Sequence, residues 1–452
     1  MKSLSPLSLT CGCSGLVLLG LSLVPVLGLS TGSLPDRLVV GLLLLSAATL
    51  ALLLMSSQST PRLFTAMLPV GLAFFLRALM LSYVSSDYEI FLSQWISAFR
   101  ENGGFAALRL SIGNYNVPYL YFLAAISYLP IPDLYLIKLF SIFFDVVLAW
   151  GGARLVRRFR DGESPAPLLC FCILLLLPTV MLNGAFWGQC DALYGGLTLH
   201  ALACALERRG AASAALLGIA FSFKLQTVFI LPLWAAFWLA GRIKFRHLFC
   251  FPAAYAATCL PALLLGKPLR DILGVYVGQT TEGSGSLSYN SASVFSFLPY
   301  GAQVEETPLA LAGILAAFLL VLALLGLLLY FRKSLSDAVL LSAGVVLAAG
   351  VPFLLPYMHD RYFFLADVLT VAAACALPGR IPPAVLVQLA SLSAYLIYFR
   401  QQYTYILYLG GKIFPMLLES LLTLTTLVWS CLLLCRELGR TQSAEKRPPS
   451  SP

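Results

Sequence analysis

Long apolar runs recur along almost the whole chain, at residues 9–29, 37–56, 63–84, 134–156, 166–184, 190–206, 211–223, 226–240, 248–266, 308–331, 337–356, 362–377, 383–399 and 411–435. A helix needs about 20 apolar residues to cross a bilayer. Backbone amides and carbonyls in lipid find no water, so each crossing segment must satisfy them internally as a helix. The runs predict an all-α polytopic membrane protein with about 14 transmembrane helices. Composition agrees. Of 452 residues, 60% are hydrophobic and 11% charged, whereas a soluble domain carries about 25% charged residues. No water-soluble fold of this length could hide so much apolar surface.

The formal net charge of +9 raises the question of nucleic acid. Placement answers it: the basic residues cluster in short segments between apolar runs, as the positive-inside rule requires, so no nucleic-acid partner is expected. The eleven cysteines lie mostly inside apolar runs. Cys11/Cys13 and Cys170/Cys172 are C-x-C pairs with no nearby histidine, and read as small buried hydrophobes. The first run, behind Lys2, has the look of a signal peptide. It is long enough to span and a second span follows at once, so it is read as an uncleaved helix.

With the N-terminus cytoplasmic, the cytoplasmic segments hold Lys2, Arg62, Arg154, Arg157, Arg158, Arg160, Arg208, Arg209, Arg242, Lys244, Arg246, Arg332, Lys333, Arg380, Arg436, Arg440, Lys446 and Arg447, which is 18 of the 29 basic residues. Of the 20 acidic residues, the same segments hold 6: Asp161, Glu163, Glu207, Asp337, Glu437 and Glu445. The asymmetry sets the direction of threading. It also requires that Tyr119–Leu129 not cross, since two crossings between 119 and 156 would invert every later cluster. That segment is read as a helix in or dipping into the outer interface, between Pro118 and Pro130. Two large outer loops result. The first, 85–133, holds an amphipathic stretch, Tyr88–Phe99. The second, 267–308, contains a Gly/Ser-rich segment from Gly278 to Asn290, which reads as a mobile lid or as slack. The domain division expected is a two-helix hairpin at 1–62, a catalytic membrane domain at 63–435 and a disordered cytoplasmic tail at 436–452.

Polar residues at membrane depth are costly and tend to be functional or paired. Four groups fall on the outer face. Ser85-Ser-Asp87-Tyr-Glu89 follows the third span. Two carboxylates there suit general-base work, or Ser86 and Asp87 cap the following helix. Phe186-Trp187-Gly188-Gln189-Cys190-Asp191 follows the fifth. Gly188 permits close backbone approach, Trp187 can stack on a sugar or anchor at the interface, and Gln189 and Asp191 can bind hydroxyls; an aromatic-belt turn is the alternative. Lys224, in Phe223-Lys-Leu-Gln226, suits a phosphate or snorkels to the interface. His359 and Arg361, in Pro356-Tyr-Met-His-Asp-Arg-Tyr362, can hold a departing phosphate, or form an internally paired turn with Asp360. Arg77, Lys138, Asp145, Asp367 and Glu419 lie within spans, where pairing is expected without the partners being evident. There is no Walker loop and no H-E-x-x-H, and no metal ligand set is assigned. The cytoplasmic loops are too short for a nucleotide-sugar domain, so a lipid-borne donor fits better.

These motifs resemble the GT-C superfamily of membrane glycosyltransferases. The chain is similar to bacterial relatives of the GPI-anchor second-mannose transferases and of the dolichyl-phosphate-glucose glucosyltransferases. The likeness runs from about Phe64 to Tyr408. It rests on Asp87 and Glu89, Tyr115-Asn-Val-Pro118-Tyr-Leu-Tyr, Trp187-Gly-Gln-Cys-Asp191, Phe223-Lys-Leu-Gln226 and His359-Asp-Arg-Tyr362. In the last, Asp360 replaces the family's Glu. The two spans before Phe64 also depart from the simplest plan. The resemblance implies a polyprenyl-phosphate-linked hexose donor, a lipid-linked or cell-envelope glycan acceptor, single displacement with inversion, and no nucleotide. Asp87 matches the catalytic base, with Glu89 beside it. Lys224, His359 and Arg361 are expected on the donor phosphate, and Trp187, Gln189 and Asp191 on substrate. Some superfamily members use a divalent metal, so a divalent cation stays open. The implied setting is a bacterial plasma membrane with both termini cytoplasmic.

Two other classes fit parts of the sequence. A lipid or solute transporter would show inverted repeats with broken mid-membrane helices, and no clear repeat is found. An outer-face polysaccharide polymerase or ligase would rely on Arg and His in a late loop, without an early carboxylate.

Overall fold

The computed structural model describes residues 4–281 and 286–445. Among these, nine helices are long and apolar enough to cross a membrane: Pro6–Leu27, Leu34–Leu54, Thr60–Met80, Asp133–Arg157, Phe245–Leu264, Glu306–Tyr330, Asp337–Leu354, Ile381–Arg400 and Leu417–Gln442. A tenth is broken: Ala166–Leu176 and Pro178–Trp187 meet at a 48° bend. The chain is therefore an all-α polytopic integral membrane protein, but the expected fourteen spans are not confirmed. Val117–Ile126, Asp191–Leu206, Gly210–Phe223 and Phe364–Ala376 are shorter apolar helices. The run 226–240 is not one helix: it divides into a 3₁₀ turn, Leu225–Phe229, and a seven-residue helix, Leu233–Leu239. Pro232 lies at the break, and an apolar run with one internal proline reads equally well as a kinked single span. The run 411–435 begins as strand, and its helix starts only at Leu417 and continues to Glu445. The rest of the expected tail, 446–452, lies outside the described residues, as does 282–285 of the Gly/Ser-rich segment.

The chain forms two compact units. The first comprises Met1–His200, Ala215–Leu225 and Phe251–Gln279; the second comprises Ala201–Ala214, Gln226–Cys250 and Thr280–Pro452.

In the first unit, Pro6–Leu21 lies against Thr60–Met80 with almost no side chain between them. A Cβ on Gly15 would strike the backbone of Met67, and one on Gly71 would strike that of Gly15. Small residues allow this approach, the usual basis of helix packing where lipid removes the hydrophobic drive. Thr60–Met80 is held to Asp133–Arg157 by a fully buried ion pair, Arg77 Nη2 to Asp145 Oδ2 at 2.9 Å. Arg77 Nη1 also donates to the carbonyl of Leu175 at 2.8 Å. That carbonyl lies at the break before Pro178, where the helical ladder is interrupted, and the guanidinium supplies a donor there. The segment 85–133 contains the expected amphipathic helix: a π-turn, Tyr88–Leu92, runs into Ser93–Glu101, burying Leu92, Ile96 and Phe99. Val117–Ile126 spans ten residues, about 15 Å at 1.5 Å per residue, half of what a crossing requires. It is mostly buried, and Tyr121 Oη donates to the carbonyl of Thr258 at 2.9 Å.

In the second unit, Asp337–Leu354 is buried along nearly its whole length. Asp367 accepts from Ser391 Oγ at 2.8 Å and Glu419 from Ser393 Oγ at 2.6 Å. Two short β pairings complete it. Ser288–Tyr289 runs parallel to Met358–His359, and Leu407–Leu409 forms a hairpin with Lys412–Phe414.

Candidate active site

Asp87 stands where the chain leaves Thr60–Met80. Its position is set by groups on Asp133–Arg157. Lys138, fully buried, donates from Nζ to the carbonyls of Met80 at 2.8 Å, Leu81 at 3.2 Å and Tyr83 at 2.6 Å. It closes the end of the preceding helix, whose last carbonyls have no helical partners. Three residues on, Ser141 Oγ donates to the carbonyl of Gln189 at 2.6 Å. Lys138, Ser141 and Asp145 follow i, i+3, i+7 spacing, so one helix face holds both the Asp87 segment and the Gln189 segment.

The 182–191 segment is shaped by local backbone. A π-turn, Leu182–Trp187, ends at Gly188 with φ +82°. Only glycine takes that left-handed conformation without strain. The turn reverses the chain so that the backbone N–H of Gln189 bonds the carbonyl of Asn183 at 2.9 Å. Phe186 stacks on Tyr83 with centroids 3.6 Å apart, and Ser85 Oγ donates to the carbonyl of Trp187 at 2.7 Å.

The result gathers five of the eight expected site residues. Trp187 Nε1 donates to Asp87 Oδ2 at 3.0 Å, and Gln189 Nε2 donates to the same oxygen at 2.5 Å. Tyr115 Oη donates to Gln189 Oε1 at 3.1 Å. Lys224 Nζ lies 2.6 Å from Asp191 Oδ1 and 5.4 Å from the Tyr115 ring centre. Asp191 also accepts from Asn183 Nδ2 at 2.6 Å. Trp187, Gln189, Asp191 and Lys224 are all buried, and Asp87 is half-buried. Lys224 is therefore ion-paired in the protein itself, and Asp191 is committed to Lys224 and Asn183. Both are engaged more fully than the sequence indicated.

Glu89 differs from Asp87. It lies exposed on the π-turn, and its carboxylate makes no hydrogen bond or ion pair among the described residues. Its neighbour Tyr88 donates to Asp133 Oδ1 at 2.8 Å. Burial, reinforced by that carboxylate, raises the Tyr88 phenol above the usual tyrosine range. His359 and Arg361 belong to the second unit. There the His359 ring stacks on Tyr289, centroids 4.7 Å apart and 12° between planes, and lies 5.2 Å from Tyr362. Among the described residues no group of three His, Cys, Asp or Glu side chains could hold a metal ion.

Asn183, Ser141 and the position of Lys138 were not legible as site features, whereas Tyr115 stood in a motif that carries the resemblance. Asn183 is a lone amide in an apolar run, and the spacing of Lys138, Ser141 and Asp145 was the one available signal for the others.

A helical scaffold that crosses the bilayer and fixes a carboxylate among an indole, an amide and a paired lysine is that of an integral membrane enzyme. The chain belongs to glycosyltransferase family 87, a family of the GT-C type, whose model matches residues 114–356. The match takes in Tyr115, Trp187, Gln189, Asp191 and Lys224, and leaves Asp87, Glu89, His359 and Arg361 outside it. Comparison with curated proteins gives no match. Family membership makes the protein a glycosyltransferase and sets aside the transporter reading that the sequence had left open.

Proposed function

We propose that this glycosyltransferase moves a hexose of the mannose or glucose type from a polyprenyl-phosphate carrier to a lipid-linked or cell-envelope glycan acceptor. The reaction proceeds with inversion, on the outer face of a bacterial plasma membrane. The single observation that carries the mechanism is the convergence of Trp187 Nε1 and Gln189 Nε2 on Asp87 Oδ2. A base held by two donors, whose own segment is fixed by Ser141 at Gln189 and by Ser85 at Trp187, has one orientation, which is what proton transfer in a transition state needs.

In the proposed reaction the acceptor hydroxyl oxygen attacks the anomeric carbon and its proton passes to Asp87. The bond from that carbon to the phosphate oxygen breaks, and its electron pair leaves with the polyprenyl phosphate. The sugar ring passes through an oxocarbenium-like state. Lys224 is assigned to the departing phosphate, with Asp191 holding its ammonium in place until the anion develops. Trp187 and Gln189 are assigned to substrate contact as well as to Asp87. Glu89, exposed and without a partner among the described residues, is assigned to the neighbourhood of the acceptor and not to proton transfer. For His359 and Arg361 a phosphate-binding role rests on their chemistry and motif alone. The lipid-borne donor is supported by the short cytoplasmic segments, and the outer face by the distribution of Lys and Arg.

The test is transfer from polyprenyl-phosphate-mannose and polyprenyl-phosphate-glucose by purified protein. Asp87→Asn should lower the rate about 10²–10⁴-fold, the usual contribution of a general base, with an unchanged melting temperature. Full activity in that variant would remove Asp87 from the mechanism. Activity with a sugar nucleotide instead would overturn the donor.

A further inference from the structure

The hairpin in the second unit is apolar and largely exposed among the described residues. Its strands, Leu407–Leu409 and Lys412–Phe414, are joined by Gly410 and Gly411, at φ +55° and +75°. Two consecutive positive φ values define the tight turn that matches strand twist. Tyr408 is 68% exposed and Leu409 54%, with Tyr405 and Ile406 also open. An isolated two-stranded hairpin with apolar groups on both faces is marginal in water. This one is tied down: the backbone N–H of Tyr300 donates to the carbonyl of Ile413 at 2.7 Å, and Tyr300 is itself 71% exposed.

The chain on either side says what lies against it. The hairpin joins Ile381–Arg400 to Leu417–Glu445, both membrane-crossing. Leu421, Val428 and Leu432 form an exposed apolar stripe along the second of these helices at i, i+7, i+11 spacing, beginning in the second turn after the hairpin. The hairpin is thus continuous with surface that already faces lipid. Its composition, with tyrosines, aliphatic side chains, Lys412 and Arg400, is that of residues seated at the headgroup level. Backbone sets the depth. The outer edge of Leu407–Leu409 pairs with no strand among the described residues, and unpaired backbone groups cannot enter the hydrocarbon. They can be hydrated among headgroups.

We propose that the 403–414 hairpin, together with Tyr300, is seated in the headgroup–acyl boundary of the leaflet at that end of the second unit and anchors the segment there to lipid. The same end carries the Ser288–Tyr289 and Met358–His359 pairing, since Ser420, in the first turn of the helix after the hairpin, donates to the carbonyl of Ser293 at 2.9 Å. A lipid-seated hairpin would hold that end at the depth of a phospholipid phosphate. The inference does not depend on the reaction proposed above.

Photo-crosslinking tests it. The full chain carrying Tyr408→p-benzoylphenylalanine, or Leu409→p-benzoylphenylalanine should the first fail to fold, is reconstituted in phosphatidylethanolamine–phosphatidylglycerol vesicles and irradiated. Mass spectrometry should find phospholipid adducts at 408, and none with Gly162→p-benzoylphenylalanine, an exposed position in a polar loop. Loss of lipid adducts at both 408 and 409, or a crosslink to a second copy in their place, would overturn the proposal.

Discussion

Lys138 shows how much one residue can set. It is buried within a helix that crosses the membrane, and its ammonium meets three carbonyls at the end of another. Those carbonyls precede Asp87 by four to seven residues. An ammonium gives three donors in directions that a neutral side chain cannot copy. Lys138→Met should therefore leave the carbonyls of Met80, Leu81 and Tyr83 without their shared donor, at a cost of about 1–3 kcal/mol for the buried groups stranded. The lowered melting temperature in detergent should be accompanied by a fall in kcat, with KM for the donor little changed, because Lys138 touches the segment bearing the base and not the substrate. A melting temperature equal to wild type would remove the support that this contact is argued to provide. The sequence marked Lys138 as an in-span charge without indicating its partners. Three backbone carbonyls leave no trace in a residue pattern.

Among the elements, the first helix is the least like a simple anchor. Gly15 and Gly71 let Pro6–Leu21 and Thr60–Met80 approach to backbone contact. The neighbour of Gly15 is the Met67 main chain, which cannot rotate away as a side chain would. Gly15→Leu should cost about 1–3 kcal/mol by overpacking, towards the upper end because backbone must move. Thermal unfolding of the purified protein would show it, and an unshifted transition would mean that the two helices separate freely. The broken span at Leu177–Pro178 was also beyond the sequence. A proline inside an apolar run is compatible with a kinked span or with two helices. Here Arg77 decides, by donating to Leu175 and so tolerating the break. The strand Lys412–Phe414 was read as the start of the 411–435 span, because strand and helix cannot be told apart in a short apolar run by hydrophobicity alone.

At the scale of the whole molecule, basic residues govern which side of the bilayer each segment faces. Lys and Arg placement predicts that Ser86 lies outside and Gly162 in the cytoplasm. Ser86→Cys in intact cells should react with a membrane-impermeant maleimide, and Gly162→Cys should react only after permeabilisation. Both positions are exposed. Protection of both, or labelling in the reverse order, would invert the topology and move the proposed reaction to the other face.

Hydropathy alone determined that this chain is helical and lies in a membrane, since twenty apolar residues without water have one way to satisfy their backbone. It also indicated where polar groups would matter, and Asp87, Trp187, Gln189, Asp191 and Lys224 do meet. Which of them touch was decided only in three dimensions. The pairing of Lys224 with Asp191, the sharing of Asp87 Oδ2 by an indole and an amide, and the exposure of Glu89 two residues away depend on helix rotation and on contacts between residues up to 102 positions apart. A linear pattern records how often apolar residues recur and not what faces them, so the number of true spans and the partners of buried charges belonged to the tertiary structure.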